Sequence, residues 1–176
     1  MTPEDLESAV HLLFPVNGKS SMAVALGVDS STLWRYAHRG KIPGPVSVAV
    51  SAWLVLKCDF SLDPPSSPCE LRELEELAEM VAPGVRKQSG LLGVEAAAFA
   101  VFGAGWKTKL SSALGVDYST IWRQVTSGNI HGPVMASVRA WLVLKRIAGV
   151  VPISEERSKP KLRSNYARLL LEDDQD

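Results

Sequence analysis

The stretch Ala25-Leu-Gly-Val-Asp-Ser-Ser-Thr-Leu-Trp-Arg35 occurs twice. It returns as Ala113-Leu-Gly-Val-Asp-Tyr-Ser-Thr-Ile-Trp-Arg123, with two changes. The offset of 88 residues then holds without a gap. Gly40, Ile42, Gly44, Pro45 and Val46 come back as Gly128, Ile130, Gly132, Pro133 and Val134, and Ala52 to Lys57 comes back unchanged as Ala140 to Lys145. Roughly two-thirds of positions 25 to 57 are identical in the second copy. Short-repeat solenoids are built from units of about 20–50 residues, so a period this long describes one small domain duplicated, with a connector. Two units of about 55 residues lie near the lower size limit for folding alone. They are expected to lean on neighbouring segments.

Apolar residues make up 46% of the 176. Ala and Leu are common and strand-like alternation is rare, which predicts an all-α chain. No apolar run reaches the length of a membrane span, and no charged-then-apolar leader opens the chain. No membrane partner is therefore expected, and the expected location is cytoplasmic. Cys58 and Cys69 flank a Pro-rich segment at a spacing that fits no metal motif. They read as free thiols of a reducing compartment, with a linker disulfide as the alternative.

Net charge is zero, but its distribution is uneven. From Pro15 to Lys57 the bases are Lys19, Arg35, Arg39, Lys41 and Lys57 against the single acid Asp29. From Gly103 to Arg146 they are Lys107, Lys109, Arg123, Arg139, Lys145 and Arg146 against Asp117 alone. Both repeats are basic and the rest is acidic. For a polyanionic partner, that distribution matters more than the sum.

In chain order, Thr2 can cap a helix that carries Pro3, Glu4 and Asp5 in its first turn and runs to about Phe14. A second helix runs from about Lys19 to Leu26. Gly27 stops it, Asp29 caps a third helix from Ser30 to about His38, and Gly40 closes that one. Gly44-Pro45 opens a fourth helix to about Lys57. This last helix is apolar nearly all round, so it must be covered on more than one side. The coverings open to it are the other repeat, the connector helix or a second chain, which would make a homodimer through the fourth helices.

Asp63-Pro-Pro-Ser-Ser-Pro68 is a linker by composition. Ser67 to Glu70 has the spacing of a capping box. Leu71, Leu74, Leu77, Ala78 and Val81 then form one stripe of a helix whose other face is acidic. Residues 85 to 93 are ambiguous. The second copy begins at Val94 and predicts helices over Lys107–Leu114, Tyr118–Thr126 and Pro133–Ile147, with Asp117 as a cap. The expected organisation is a first domain over 1–58, a linker and acidic helix over 59–93, a second domain over 94–148 and a polar tail over 149–176. The tail carries a short amphipathic pattern over 162–171 and an acidic end over 172–176.

Two short helices joined by a tight turn containing Gly make a helix-turn-helix. That geometry requires a small residue four before the Gly and apolar residues where the helices face one another. Ala23, Gly27, Met22, Leu26, Val28, Leu33 and Tyr36 meet these demands in the first copy. In the second, Ser111, Gly115, Leu110, Leu114, Val116 and Ile121 do so, with Gln124 in place of Tyr36. Each copy resembles the helix-turn-helix of lambda-repressor-like (Cro-type) bacterial and phage regulators, including the helix after the Ile-x-Gly-Pro-Val loop. The resemblance covers residues 4 to 57 and 95 to 145. The tandem arrangement and the acidic connector depart from the usual single-domain pattern.

The resemblance implies that the third helix of each unit enters the major groove of double-stranded DNA. The base-reading residues it implies are Ser30, Ser31, Trp34, Arg35 and His38 in the first unit. In the second they are Tyr118, Ser119, Trp122, Arg123 and Thr126. Arg35 and Arg123 could each fork onto a guanine. Phosphate contacts would come from Lys19, Ser20, Arg39 and Lys41, and from Lys107 and Thr108.

The plainer readings are surface ion pairing for the arginines, helix packing for Trp34 and Trp122, and an ordinary surface position for His38. Gly18-Lys19-Ser20 fails as a phosphate loop, because that motif wants a Gly at Leu13 and a strand before it. His11, His38 and His131 have no metal or triad partner at useful spacing, so no enzyme, no metal and no cofactor is expected. The expected function is a transcriptional regulator reading two unlike half-sites with two domains in one chain, associated with the nucleoid when bound. The carboxyl-terminal segment is the candidate contact for RNA polymerase or another regulator. The alternative is a protein-interaction module, of anti-activator or antitoxin type, that keeps the fold without DNA binding in one or both copies.

Overall fold

A computed structural model describes residues 1–149, apart from the side chains of Arg39, Gln88 and Ser89. The expected tail helix over 162–171, the acidic end and the Arg39 phosphate contact lie outside the described residues. Those residues form ten helices and no strand: α1 (Pro3–Leu13), α2 (Gly18–Leu26), α3 (Ser30–Arg39), α4 (Gly44–Phe60), α5 (Leu71–Val81), α6 (Val85–Ser89), α7 (Gly93–Phe102), α8 (Trp106–Leu114), α9 (Tyr118–Ser127) and α10 (Gly132–Ala148). Helices α2, α3 and α4 recur as α8, α9 and α10 at the 88-residue offset. Among the described residues no helix is long and apolar enough to cross a membrane.

Local signals set most of the helix ends. Thr2 Oγ1 accepts from the Asp5 N–H at 3.2 Å and the Asp5 carboxylate accepts from the Thr2 N–H at 2.7 Å, a reciprocal cap on α1. Gly27 and Gly115 stop α2 and α8 at φ of 65° and 64°, where a side chain would be strained. The following N–H groups of Val28 and Val116 reach back to the carbonyls of Ala23 and Ser111, each at 3.0 Å.

Two local expectations are corrected, and a third holds for the position but not for the side chain. Asp29 and Asp117 stand at the caps of α3 and α9, but neither side chain makes a capping bond. Both carboxylates are exposed, where water competes for them, and only their backbone carbonyls enter the first turn. The box at Ser67–Glu70 does not form, because α5 starts three residues later with Glu70 at its cap. Tertiary contacts hold the chain before it: the Ser67 carbonyl accepts from Arg139 at 3.5 Å and Pro68 packs beside Gly27. Finally, α4 continues past Lys57 to Phe60 and ends at Ser61 in the left-handed region.

Each unit buries a Trp from its fourth helix. Phe14 meets Trp53 edge-on at 6.1 Å, and Phe102 meets Trp141 the same way at 5.3 Å. Leu6, Val10, Met22, Leu26 and Leu33 complete the first core. The second has Val94, Ala98, Leu110, Leu114 and Ile121 at the corresponding places. The two departures from the first copy are both buried and both satisfied. Ser111 Oγ donates to the Thr108 carbonyl at 2.9 Å, and Gln124 Oε1 accepts from the His131 N–H at 3.1 Å. Gln124 thereby ties down the loop that leads into α10.

The apolar fourth helices are covered within the chain. Helix α4 packs on α10, and α10 also carries α5 and α7. The close approach needs glycine at two places. A Cβ on Gly44 would overlap the Leu114 carbonyl oxygen, and one on Gly132 would overlap the carbonyl oxygens of Leu26 and Gly27. At the crossing, Ser137 Oγ lies 2.8 Å from the carbonyl oxygens of both Pro45 and Pro133 and is fully buried. Replacing Ser137 with Ala, the residue at the matching position 49, should cost about 1 kcal/mol by leaving the Pro45 carbonyl without that donor. Chemical denaturation measures it.

The acidic face of the connector is engaged rather than merely solvated. Glu75 accepts from the Gly93 N–H at 2.8 Å, at the start of α7, and lies 3.4 Å from Arg86. Glu73 pairs with Arg139 of α10, and Glu79 accepts from the Gly84 N–H at 2.6 Å. An acid at a helix amino terminus satisfies an orphan N–H and complements the helix dipole. Helix α5 thus belongs with the second unit, burying Leu74 and Ala78 against the alanine-rich α7. Cys58 and Cys69 are not joined to each other by a disulfide. Burial, with the nearby Glu73 charge, pushes the Cys69 thiol up to about 12, so it stays protonated at neutral pH.

Candidate nucleic-acid interface

The turn at Gly27 and the inward Leu33 set the rotation of α3. Leu33 is 2% exposed and its counterpart Ile121 is 1% exposed. At about 100° per residue, the next positions must then face outward. Trp34 is 54% exposed and Trp122 is 47% exposed, so neither is packed into a core. Ser30, Ser31, Arg35 and His38 of α3 are exposed with Trp34, as are Tyr118, Ser119, Arg123 and Thr126 of α9 with Trp122. The structure brings each set of sequence-predicted residues onto one outer face.

Within those faces the two units differ. On α3, the Trp34 and His38 rings stack at 4.0 Å with 20° between their planes, and His38 Nδ1 lies 2.9 Å from the Trp34 carbonyl. Arg35 Nη2 donates to Thr32 Oγ1 at 2.7 Å. A guanidinium has five N–H donors, and this bond uses one. On α9, Arg123 Nε donates to the Ser119 carbonyl at 3.4 Å, and Thr126 Oγ1 to the Trp122 carbonyl at 2.8 Å. Lys107 Nζ stands 4.2 Å above the Trp122 ring, a cation over an aromatic face. The first aromatic is therefore backed by an imidazole and the second is capped by an ammonium. A shallow groove runs beside α9, lined by Trp122, Arg123, Thr126, Ser127, Asn129 and His131.

The starts of α2 and α8 sit beside these faces. Ser20, Lys41 and Thr108 are exposed there or in the following loop. Lys19 Nζ bonds Glu7 at 2.7 Å, and Lys107 lies 3.8 Å from Glu95. The Lys19 hydrogen bond and charge hold the Glu7 carboxyl below the usual range. This Lys–Glu pair, made twice, was missed in reading the sequence. The signal was present, because extending the 88-residue offset backwards places Glu7 on Glu95 and Lys19 on Lys107.

Several other bases of the two repeats are committed elsewhere. Lys57 pairs with Asp63, and Arg139 with Glu73. Lys109 donates to the Phe102 carbonyl at 2.9 Å. Lys145 donates to the carbonyls of Ala100 and Val101 at 2.8 and 2.9 Å, closing the end of α7. Among the described side chains, the positive charge on the candidate face is accordingly narrower than the residue count suggests, and it lies on Arg35, Lys41 and Arg123 with the two shared lysines.

If a duplex binds these faces, Glu7→Gln and Glu95→Gln should each tighten that binding by about 2–5-fold, since each frees a lysine from its ion pair and removes a like charge from beside the phosphates. The plot of log affinity against log salt should steepen by about 0.9 for each phosphate that a released lysine gains. Titration of both variants at several salt concentrations checks this.

Comparison with family models, curated proteins and solved structures returned no match.

Proposed function

We propose that the chain is a sequence-specific double-stranded-DNA-binding transcriptional regulator. Its two units are read as lambda-repressor-like helix-turn-helix domains, with α3 and α9 as reading helices. One observation carries the proposal. In both units the third helix turns its inward residue fully into the core and leaves Trp-Arg, at matched positions 34–35 and 122–123, on the outer face. An exposed arginine on a helix that fits the major groove is the commonest specific reader of guanine. Ser20, Lys41 and Thr108, with the two shared lysines, suit phosphates on either side. No catalytic role is proposed for any residue.

The two faces differ at Ser30 against Tyr118 and at His38 against Thr126, and in what backs each Trp. The two half-sites are therefore unlike. Selection of bound duplexes from a random pool should enrich a two-part site with different halves. Enrichment of a single short site would mean that one unit reads and the other serves assembly.

The second reading is a protein-interaction module, and one observation favours it. Leu12, Val16 and Val24 are exposed on the first unit, where the second has Ala100, Ala104 and Ser112. A selection that enriches no sequence at all would favour that reading.

A further inference from the structure

The contacts between the two units are reciprocal. Gly44, at the start of α4, rests on Leu114 and Gly115 at the end of α8. Its counterpart Gly132, at the start of α10, rests on Leu26 and Gly27 at the end of α2. The same pairing appears between whole helices, since α4 meets α8, α10 meets α2, and α4 meets α10 across the middle. A relation in which patch i of one unit touches patch j of the other, and j touches i, closes on itself. That is the relation of an approximate two-fold axis, as in an isologous dimer. A head-to-tail arrangement would make only one of the two glycine contacts and leave the other pair of surfaces apart.

We infer that the DNA element this chain recognises is an inverted pair of unlike half-sites at one fixed spacing, read by a single chain. The inference rests on the DNA-binding reading above and adds the orientation and the spacing. A two-fold relates α3 to α9, so two heads on one side of a duplex meet its strands in opposite directions. The spacing is fixed because the junction is backbone against backbone: neither glycine can take a Cβ without moving the partner helix end. Ser137 adds a buried tie from α10 to the Pro45 carbonyl. Two heads joined only through the segment between α4 and α5 would have no such restriction. Covalent linkage then raises the local concentration of the second head for the first, so no second copy is needed.

The test uses the full chain and the duplex enriched from the random pool. One half-site is flipped to give a direct repeat. In separate duplexes the halves are moved apart by about 5 and by about 10 base pairs, a half turn and a full turn of DNA. All three changes should weaken binding by about 100-fold or more, the loss of at least two base-pair readings at about tenfold each. The complex should contain one chain per duplex.

Equal affinity for the direct repeat, or tolerance of the full-turn insertion, overturns the inference and leaves DNA binding intact. An enriched site with only one half, or two chains per duplex, overturns it as well. No enriched sequence overturns both the inference and the reading beneath it. Gly132→Ala should lose selectivity between spacings while keeping the contacts of each half. If that variant fails to fold, the comparison of duplexes with the unaltered protein still decides.

Discussion

Charge reversal at Arg35 is expected to weaken binding to the selected duplex by at least about 100-fold, while His38→Ala changes it by less than about 5-fold. A bidentate arginine–guanine pair is worth about 1–3 kcal/mol of discrimination. Reversal removes it and also sets a carboxylate against acceptor edges and phosphates. His38 already spends its ring on Trp34, stacked at 4.0 Å with Nδ1 against the backbone, so its loss mainly frees the Trp. The fold should be indifferent to either change. Arg35 is exposed and makes one local bond to Thr32, and surface substitutions of this kind stay within about 0.5 kcal/mol. Anisotropy titrations with a thermal melt of each variant check the pair of claims. Equal effects at the two positions would remove the assignment of the reading face.

The second large effect is on stability. Trp53→Ala should cost about 3–5 kcal/mol, the range for emptying a buried aromatic site. That is a third or more of the stability of many domains. Trp53 is fully enclosed and meets Phe14 edge-on. Because α4 packs on α10, the damage should not stay in the first unit. Denaturation followed by helix content and by the fluorescence of the remaining tryptophans, including Trp106 and Trp141, should give one coincident transition at lower denaturant. Two separated transitions, with the second unit unmoved, would contradict a shared core.

How far the residues spoke for themselves varies with the scale of the question. Helix positions were legible because stop signals stood where periodicity broke: Gly27, Gly40, Gly115 and Gly128 each end a helix in the left-handed region. The outward face of α3 followed from the inward Leu33 alone. The Ser67 box failed because the Arg139 bond and the packing beside Gly27 are tertiary and leave no local trace. The same holds for Arg139 and Lys145. They count toward the basic charge of the repeats, yet one is claimed by Glu73 and the other by the end of α7. The all-round apolar α4 announced that it needed a cover. Its partner α10 could not be chosen from the three candidates until Gly44 and Gly132 were seen against opposite helix ends.

Helices α3 and α9 are proposed to engage one duplex together, through phosphate and base contacts. The most direct test is the affinity of the unaltered protein for the selected duplex across a range of salt concentrations, beside Arg35→Ala and Arg123→Ala. Log affinity should fall linearly with log salt at a slope of about −0.9 per phosphate neutralised. Both variants should weaken binding at every salt concentration. Binding that ignores salt, or that ignores Arg123 while needing Arg35, would contradict it.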